Sequence, residues 1–328
     1  MALNFWGRER PVYANANLSI YSGQTCNARC AFCVEELRPA SRGGALAQQR
    51  TVEPDDETYF SSLEESLRVL RHLNPSVSVT GGEPSLDPRL PRILRTIAAA
   101  GARKRTITTN GSGLLDIREG KTVLDWISEC GLAHLNLSRA HPDEERNNQQ
   151  MGFRRSLPRE ELGGIVQRAR RAGVRVRLSC ILVKEGVSDL EGIERYLEFA
   201  RSVGVDNVIF RGLMQPDART ADLQNSVVRY SAAHRVALDP ILTEISRHSG
   251  FGFRKQITGY YYYVEVWRHR GVDVVFEEAD LAQLEAEKRA HPEVIHELIF
   301  HPNAKLASTW QPWDGVLGPS VPKSAPTA

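Results

Sequence analysis

A unit recurs along the first two thirds of this chain: an amphipathic helix, a glycine, then a short β-rich run. The segment 57–73 places Phe60, Leu63, Leu67, Leu70 and Leu73 at helical spacing. LPRILRTIAAA stops at Gly101, TVLDWISEC at Gly131 and PREELGGIVQRARRA at Gly173. A helix predicted over 188–203 opens on Ser188-x-x-Glu191, a capping-box pattern, and stops at Gly204. Glycine just past a helix end adopts the left-handed conformation that terminates it. The β-rich runs are NLSIYS, SVSVTG, RTITTN, LAHLNLS, VRVRLSCILV and NVIFRGLM. Strands alternating with helices predict an α/β fold with a parallel sheet and right-handed crossovers. Six such units suit a partial (βα)6 TIM-like barrel better than an open doubly wound sheet, although spacing alone leaves both open.

Alternation along the strands separates two faces. Leu135 and Leu137 oppose His134, Asn136 and Ser138. Val174, Val176, Leu178 and Cys180 oppose Arg175, Arg177, Ser179 and Ile181. Val208 and Phe210 oppose Arg211 and Leu213. Helices are expected over the apolar face, leaving the polar face to line the interior. After about residue 215 the pattern changes to a helical stretch (224–248) and two hairpins, turning near Arg270-Gly271 and at Pro302-Asn303. The expected division is an N-terminal extension (1–16), a core (17–215), a small C-terminal α+β cap (216–318) and a disordered tail (319–328).

A net charge of +2 favours neither nucleic acid nor a membrane surface. No stretch approaches the ~18 apolar residues of a membrane span, and MALNFWGRERPVY has no apolar run of signal-peptide length. Five cysteines in 328 residues fit a reducing, intracellular setting, so a cytoplasmic location is expected.

Three of those cysteines, Cys26, Cys30 and Cys33, stand together as Cys-x3-Cys-x2-Cys. Iron–sulfur cubes are usually held by four thiolates, one per iron, so three leave one iron open to a substrate or cofactor. A zinc site would want a fourth Cys or His close by, yet the nearest histidine is His72. A disulfide framework wants an even set in a secreted chain. About 45 residues beyond Cys33, the second strand runs into Gly81-Gly82-Glu83-Pro84. Glycines let a backbone approach closely, and a carboxylate or carbonyl accepts from an ammonium group. Taken alone, this run is an ordinary turn signal.

Cysteine triplet and Gly-Gly-Glu together resemble the radical S-adenosylmethionine (radical SAM) superfamily. The resemblance covers about residues 17–215 and favours the barrel. It is nearest the branch holding the first enzyme of molybdenum-cofactor synthesis, viperin, and maturases with SPASM or twitch extensions. It implies one [4Fe-4S] cluster on Cys26, Cys30 and Cys33, whose open iron chelates the methionine end of SAM. SAM is then cleaved, and a 5′-deoxyadenosyl radical takes a hydrogen atom from the substrate. By the same resemblance Gly81, Gly82 and Glu83 bind the methionine ammonium, and the backbone of Phe32 meets adenine. Thr109-Asn110-Gly111, Ser138 and Ser179 offer further SAM contacts, with Asn110 the chosen candidate of its trio. An arginine after the fourth strand pairs with the SAM carboxylate in relatives. Arg146, Arg154 and Arg155 are candidates, with Arg139 standing where relatives often have aspartate. Leu213 or Met214 meets adenine, or else is core.

For the substrate, Arg177 and Arg211 lie on the predicted interior face, where an unpaired charge is costly. A carboxylate or phosphate would satisfy them, as would an internal salt bridge. Lys184 and Glu185 follow a strand at the end where barrel enzymes carry functional groups. Glu35 and Glu36 follow the cysteines directly. Of the run Tyr260–Tyr263, at most two rings point at the barrel mouth, with Tyr262 the chosen candidate. Cys130 and Cys180 read as buried structural thiols.

ELIFHPNAKLASTW resembles the hairpin that delivers auxiliary-cluster cysteines in SPASM and twitch proteins. Here Ser308, Thr309 and Trp310 fall where cysteine would, and no cysteine follows residue 180. The implied protein is therefore a single-cluster enzyme with a twitch-like cap, needing an external one-electron reductant of flavodoxin or ferredoxin type. A redox-neutral reaction on a polar small molecule (nucleoside, sugar or amino-acid derivative) is expected. A peptide-modifying maturase and a non-catalytic metal- or cluster-binding protein are the alternatives.

Overall fold

The computed structural model describes residues 1–22, 25–37, 52–154, 156–214 and 223–318. The expected tail, the 215/216 boundary and Arg155 lie outside these, as does the side chain of Glu36. A hairpin of β1 (Ala2–Phe5) and β2 (Arg8–Pro11) leads in, burying Leu3 and Phe5. Strands and helices then alternate. They run β3 (Leu18–Ser22), α1 (Asp56–Val69), β4 (Ser76–Gly81), α2 (Leu90–Ala99), β5 (Lys104–Thr109) and α3 (Val123–Glu129). Next come β6 (His134–Ser138), α4 (Glu144–Met151), α5 (Arg159–Arg171), β7 (Arg175–Leu182), α6 (Leu190–Ser202) and β8 (Asn207–Gly212).

These six strands pair in parallel and in sequence order, β3-β4-β5-β6-β7-β8. A doubly wound sheet reverses its strand order at a switch point; this one never does, as a barrel wall requires. Gly101, Gly131, Gly173 and Gly204 close their helices with positive φ of 62–81°. The capping box expected at Ser188 is absent: α6 is capped by Asp189, whose Oδ1 accepts from Gly192 N at 2.8 Å.

Register fixes the two faces. Ile20, Val79, Ile107, Leu135, Leu178 and Phe210 are buried on the outer face of the strands. Thr80, Thr108, Ser138, Ser179 and Arg211 share the opposite, interior face.

Beyond residue 223 the expected single helix is two, α7 (Ser226–His234) and α8 (Leu238–Arg247), broken at Arg235–Ala237. The strands β9 (Phe251–Thr258), β10 (Tyr262–His269) and β11 (Val272–Ala279) form an antiparallel ribbon turning at Arg270-Gly271. After α9 (Leu281–Ala290) comes the short hairpin of β12 (Leu298–Phe300) and β13 (Leu306–Ala307). The α+β composition is as expected, but these strands are continuous with the barrel sheet. β11 pairs in parallel with β8, and β12 in parallel with β3, giving one sheet of 11 strands among the described residues. Local patterning reads a hairpin but not which distant strand its outer edge meets.

The lower interior is cationic. His134 lies near Lys104, Arg177 and Arg175; burial first, then those charges, push its pKa down to about 4. In the unfolded chain the ring titrates near the ordinary value of about 6.5. Between those values the unfolded state takes up a proton that the folded ring refuses, so stability falls as pH drops through that window. A His134→Leu variant is therefore expected to lose less stability than wild type between pH 7 and pH 4.5. The difference expected is about 1 kcal/mol, discounted for screening of a half-exposed ring. Parallel denaturation curves at the two pH values check this.

Candidate active site

The cysteine loop leaves β3 and is stitched to three neighbours. Glu83 N donates to Thr25 O at 2.9 Å, joining the loop to the end of β4. Asn110 Nδ2 donates to Asn27 Oδ1 at 2.8 Å, joining it to the end of β5. Arg29 N and Ala31 N donate to Met151 O and Gln150 O at 3.0 and 3.3 Å, seating it on the C-terminal end of α4. Cys26, Cys30, Cys33 and Phe32 then line one pocket with Gly81, Gly82, Glu83, Asn110, Ser138, Ser179 and Arg211.

Gly81 is required at its position. Its φ is +139°, and a Cβ there would stand 2.0 Å from Ser22 O. The close approach of β4 to β3 beside the cysteine loop therefore excludes every side chain.

Glu83 is 1% exposed and holds the strand ends together. Its Oε1 accepts from Ser85 N (2.8 Å), Ser85 Oγ (2.6 Å) and Thr109 Oγ1. Its Oε2 accepts from Asn110 N at 2.6 Å. Burial pushes the carboxyl pKa up, against these hydrogen bonds. A carboxylate offers about four lone-pair directions, so Oε2 keeps acceptor capacity that Oε1 has spent.

The donor set suits a metal cluster. Burial and the neighbouring Cys33, Cys26 and Glu83 all push the Cys30 thiol up. A nucleophilic cysteine needs an electropositive setting to ionise; these thiols sit among other acids, a setting that a bound cation would relieve. Among the described residues no three His, Cys, Asp or Glu side chains converge as ligands of one ion. Three thiols lining one pocket fit a cube in which each thiolate takes its own iron.

Other sequence candidates fall elsewhere. Arg211 reaches the pocket and pairs with Glu277 of β11 at 2.9 Å. Arg177 does not line the pocket: its Nε donates to Asn207 Oδ1, and burial followed by the Arg211 charge pushes its pKa down to about 10. Lys184 and Glu185 also stay out. Lys184 Nζ donates to Ala233 O at 2.8 Å near the end of α7, and Glu185 lies 3.5 Å from His234. Position at a strand end suggested a site, but both side chains stay exposed and turn to the end of α7. Tyr262 shares the interior face with Glu277 but is not in the pocket wall. Leu213 is core, at 2% exposure. Arg154 and Arg146 are exposed and are not in the pocket wall. Arg139 spends its guanidinium on the carbonyls of His141, Leu157 and Pro142. Cys180 is buried on the outer face, donating to Ala140 O at 3.2 Å. Asn27, Ser85 and Gly152 escaped the sequence reading, because their roles are contacts to distant segments. A larger cleft of about 460 Å³, walled by Tyr21, Tyr59, Asp87 and Arg89, contains none of the candidates.

A family profile described as "Radical SAM superfamily" matches residues 20–200, more than half of the chain. The chain belongs to the radical SAM superfamily. Its curated relatives include the probable GTP 3′,8-cyclase of Metallosphaera sedula, 28% identical over 193 residues, which cover 58% of this chain and 54% of the relative. The GTP 3′,8-cyclase of Marinobacter nauticus is 28% identical over 189 residues, or 55% and 49% of the two chains. The chain thus spans about half the length of the curated relatives it matches. Among solved structures, Streptococcus suis SuiB bound to S-adenosylmethionine superposes with a TM-score of 0.54 at 17% identity. That alignment covers 91% of this chain and 61% of SuiB, and it establishes a shared radical SAM fold, the partial TIM barrel. Among the described residues no helix is long and apolar enough to cross a membrane.

Proposed function

We propose that this chain is a single-cluster radical SAM enzyme acting on a polar, anionic small molecule. The observation that carries this reading is one pocket walled by the cysteine triplet, the Gly-Gly-Glu run and Arg211. Cys26, Cys30 and Cys33 would hold the cluster. When bound, cluster and SAM together supply a 5′-deoxyadenosyl radical that abstracts hydrogen. Everything else falls to the chain's own residues. The spare acceptor capacity on Glu83 Oε2 suits the methionine ammonium, and the position of Gly81 lets backbone carbonyls approach it. Asn110, Ser138 and Ser179 offer hydroxyl and amide groups along the strand ends, and Phe32 an apolar surface for adenine.

Arg211 sits at the pocket wall with Glu277 as its ion-pair partner. An incoming carboxylate or phosphate can share that guanidinium, which has donors to spare. Arg177 lies deeper and supports the positive field of the interior. The names of the curated relatives agree with a redox-neutral cyclisation of a nucleotide, and a nucleoside or nucleotide is the substrate class we favour. No cysteine beyond residue 180 is available for a second cluster.

The test is anaerobic reconstitution with iron and sulfide, then dithionite and SAM. 5′-Deoxyadenosine is the expected product, accumulating faster when the right nucleotide is added. Absence of 5′-deoxyadenosine from protein loaded with cluster would sink the reading.

A further inference from the structure

The strand order of the large sheet has two ends, with β9 and β10 at one and β3 and β12 at the other. Three aromatic rings bring these ends together. Tyr260 stands at the tip between β9 and β10, Tyr13 leads into β3, and His296 leads into β12. The Tyr260 ring lies 4.9 Å from Tyr13 and 5.1 Å from His296. His296 stacks on Tyr13 at 6.2 Å, with the rings 27° from parallel. Backbone bonds fix two of the three: Tyr13 N donates to Ile295 O at 2.9 Å, and Ile295 N to Pro11 O at 2.8 Å. The tip has its own bonds, from Gly259 N to Tyr262 O at 2.9 Å and from Asp280 N to Tyr261 O at 2.8 Å. Among the described residues no backbone bond joins the tip to Tyr13 or His296, so ring packing spans the gap.

His296 is buried at 7% exposure, and neither ring nitrogen has a hydrogen-bond partner among the described residues. Buried polar groups are paired at the great majority of native sites. A neutral imidazole can occupy such a seat. An imidazolium brings two N–H donors and a full charge that must leave water. The charges around the ring divide: Glu287 and Glu297 favour its cation, while Lys288 and His291 oppose it. Burial is the largest influence and pushes its pKa down. Both Glu297 oxygens are engaged, accepting from Lys288 Nζ at 2.6 Å and from Trp310 Nε1 at 2.9 Å. The hydroxyls of Tyr13 and Tyr260 stay uncharged near neutral pH, and their ring faces attract a cation less strongly than water solvates it.

We propose that Tyr13, His296 and Tyr260 form an acid-released clasp, which holds the ribbon tip against the opposite end of the sheet while His296 is neutral and frees it when the ring takes up a proton. A freed ring titrates near the ordinary value of about 6.5. Below that pH the open form binds a proton that the clasped form refuses, so acid favours release. The ribbon leads on to the pocket, since β10 pairs Val264 with Glu277, the carboxylate that holds Arg211. Release loosens the strand beside that ion pair.

The test is hydrogen–deuterium exchange with mass spectrometry on anaerobically reconstituted protein. Exchange is followed at pH 7.5 and pH 5.5, each rate being corrected for chemical exchange at that pH. The amides of Gly259 and Asp280 report whether the tip is seated. Wild type is expected to lose protection there roughly tenfold between the two pH values, while the amides of β7 keep theirs. His296→Phe keeps a ring in the seat with no proton to gain, so its protection should be equal at both. Tyr260→Ala removes the ring at the tip. It should exchange at pH 7.5 as wild type does at pH 5.5, with no further response to acid.

Tip protection in wild type that ignores pH overturns the proposal. So does a His296→Phe variant with the wild-type response, which would place the titration at another group such as His291. A loss shared equally by β7 is global unfolding and counts against the clasp as well. Should His296→Phe not fold, Tyr260→Ala decides: a response as large as that of wild type overturns the clasp, and its disappearance supports it. No SAM cleavage enters the measurement, so its outcome is independent of the catalytic reading.

Discussion

Replacing Cys30 by alanine is expected to abolish 5′-deoxyadenosine formation, while Cys180→Ala retains it. Both are thiols in one chain, and the fold separates their roles. Cys30 lines the pocket with Cys26 and Cys33, where burial and neighbouring acids push its thiol up and a bound cation would favour the thiolate. On the proposed reading, removing it leaves two ligands for a cube that already lacks a fourth. Cys180 sits on the opposite face of β7, wholly buried, with its Sγ directed at the Ala140 carbonyl. Its loss removes one sulfur atom from a packed core, at roughly 1 kcal/mol. Iron content and brown absorbance should collapse in the first variant and persist in the second. Continued SAM cleavage by Cys30→Ala would overturn the assignment of the site.

A second large effect is expected at Glu83. Its carboxylate gathers four donors from Ser85, Thr109 and Asn110 in a place almost closed to water. Glu83→Ala strands those donors, and the expected cost is on the order of 3 kcal/mol. SAM affinity should fall with it, since the remaining acceptor on Oε2 disappears. Calorimetric melting and equilibrium SAM binding measure the two effects separately. A variant that melts like wild type would show that the four hydrogen bonds are dispensable. Loss of SAM binding without loss of stability would assign Glu83 to the ligand alone.

Much of the barrel was legible because its signals are local. The helix-stopping glycines, the alternation along LAHLNLS and VRVRLSCILV, and the cysteine spacing all lie within a few residues of one another. Gly81 was readable as a close-approach glycine, although the atom it approaches, Ser22 O, lies 59 residues earlier. What stayed hidden is relational. Arg177 looks identical in sequence whether it meets a substrate or Asn207. Lys184 has the position of a functional residue, and only the arrival of α7 turns its ammonium to a helix-end carbonyl. Asn27 and Gly152 carry no signature at all, since each acts through one contact to a distant segment. The largest gap was the assignment of the C-terminal strands to both margins of the barrel sheet, because edge pairing is decided by the whole wall.

That pairing bears on how the chain is made. β3, which leads straight into the cysteines, finds one of its two neighbours only at Leu298–Phe300, near the far end of the sequence. On the ribosome its outer edge therefore stays bare until Leu298–Phe300 has emerged. Contacts of such long separation form slowly, and an uncovered strand margin invites pairing with other nascent chains. Until then the wall that supports the cysteine loop is unfinished.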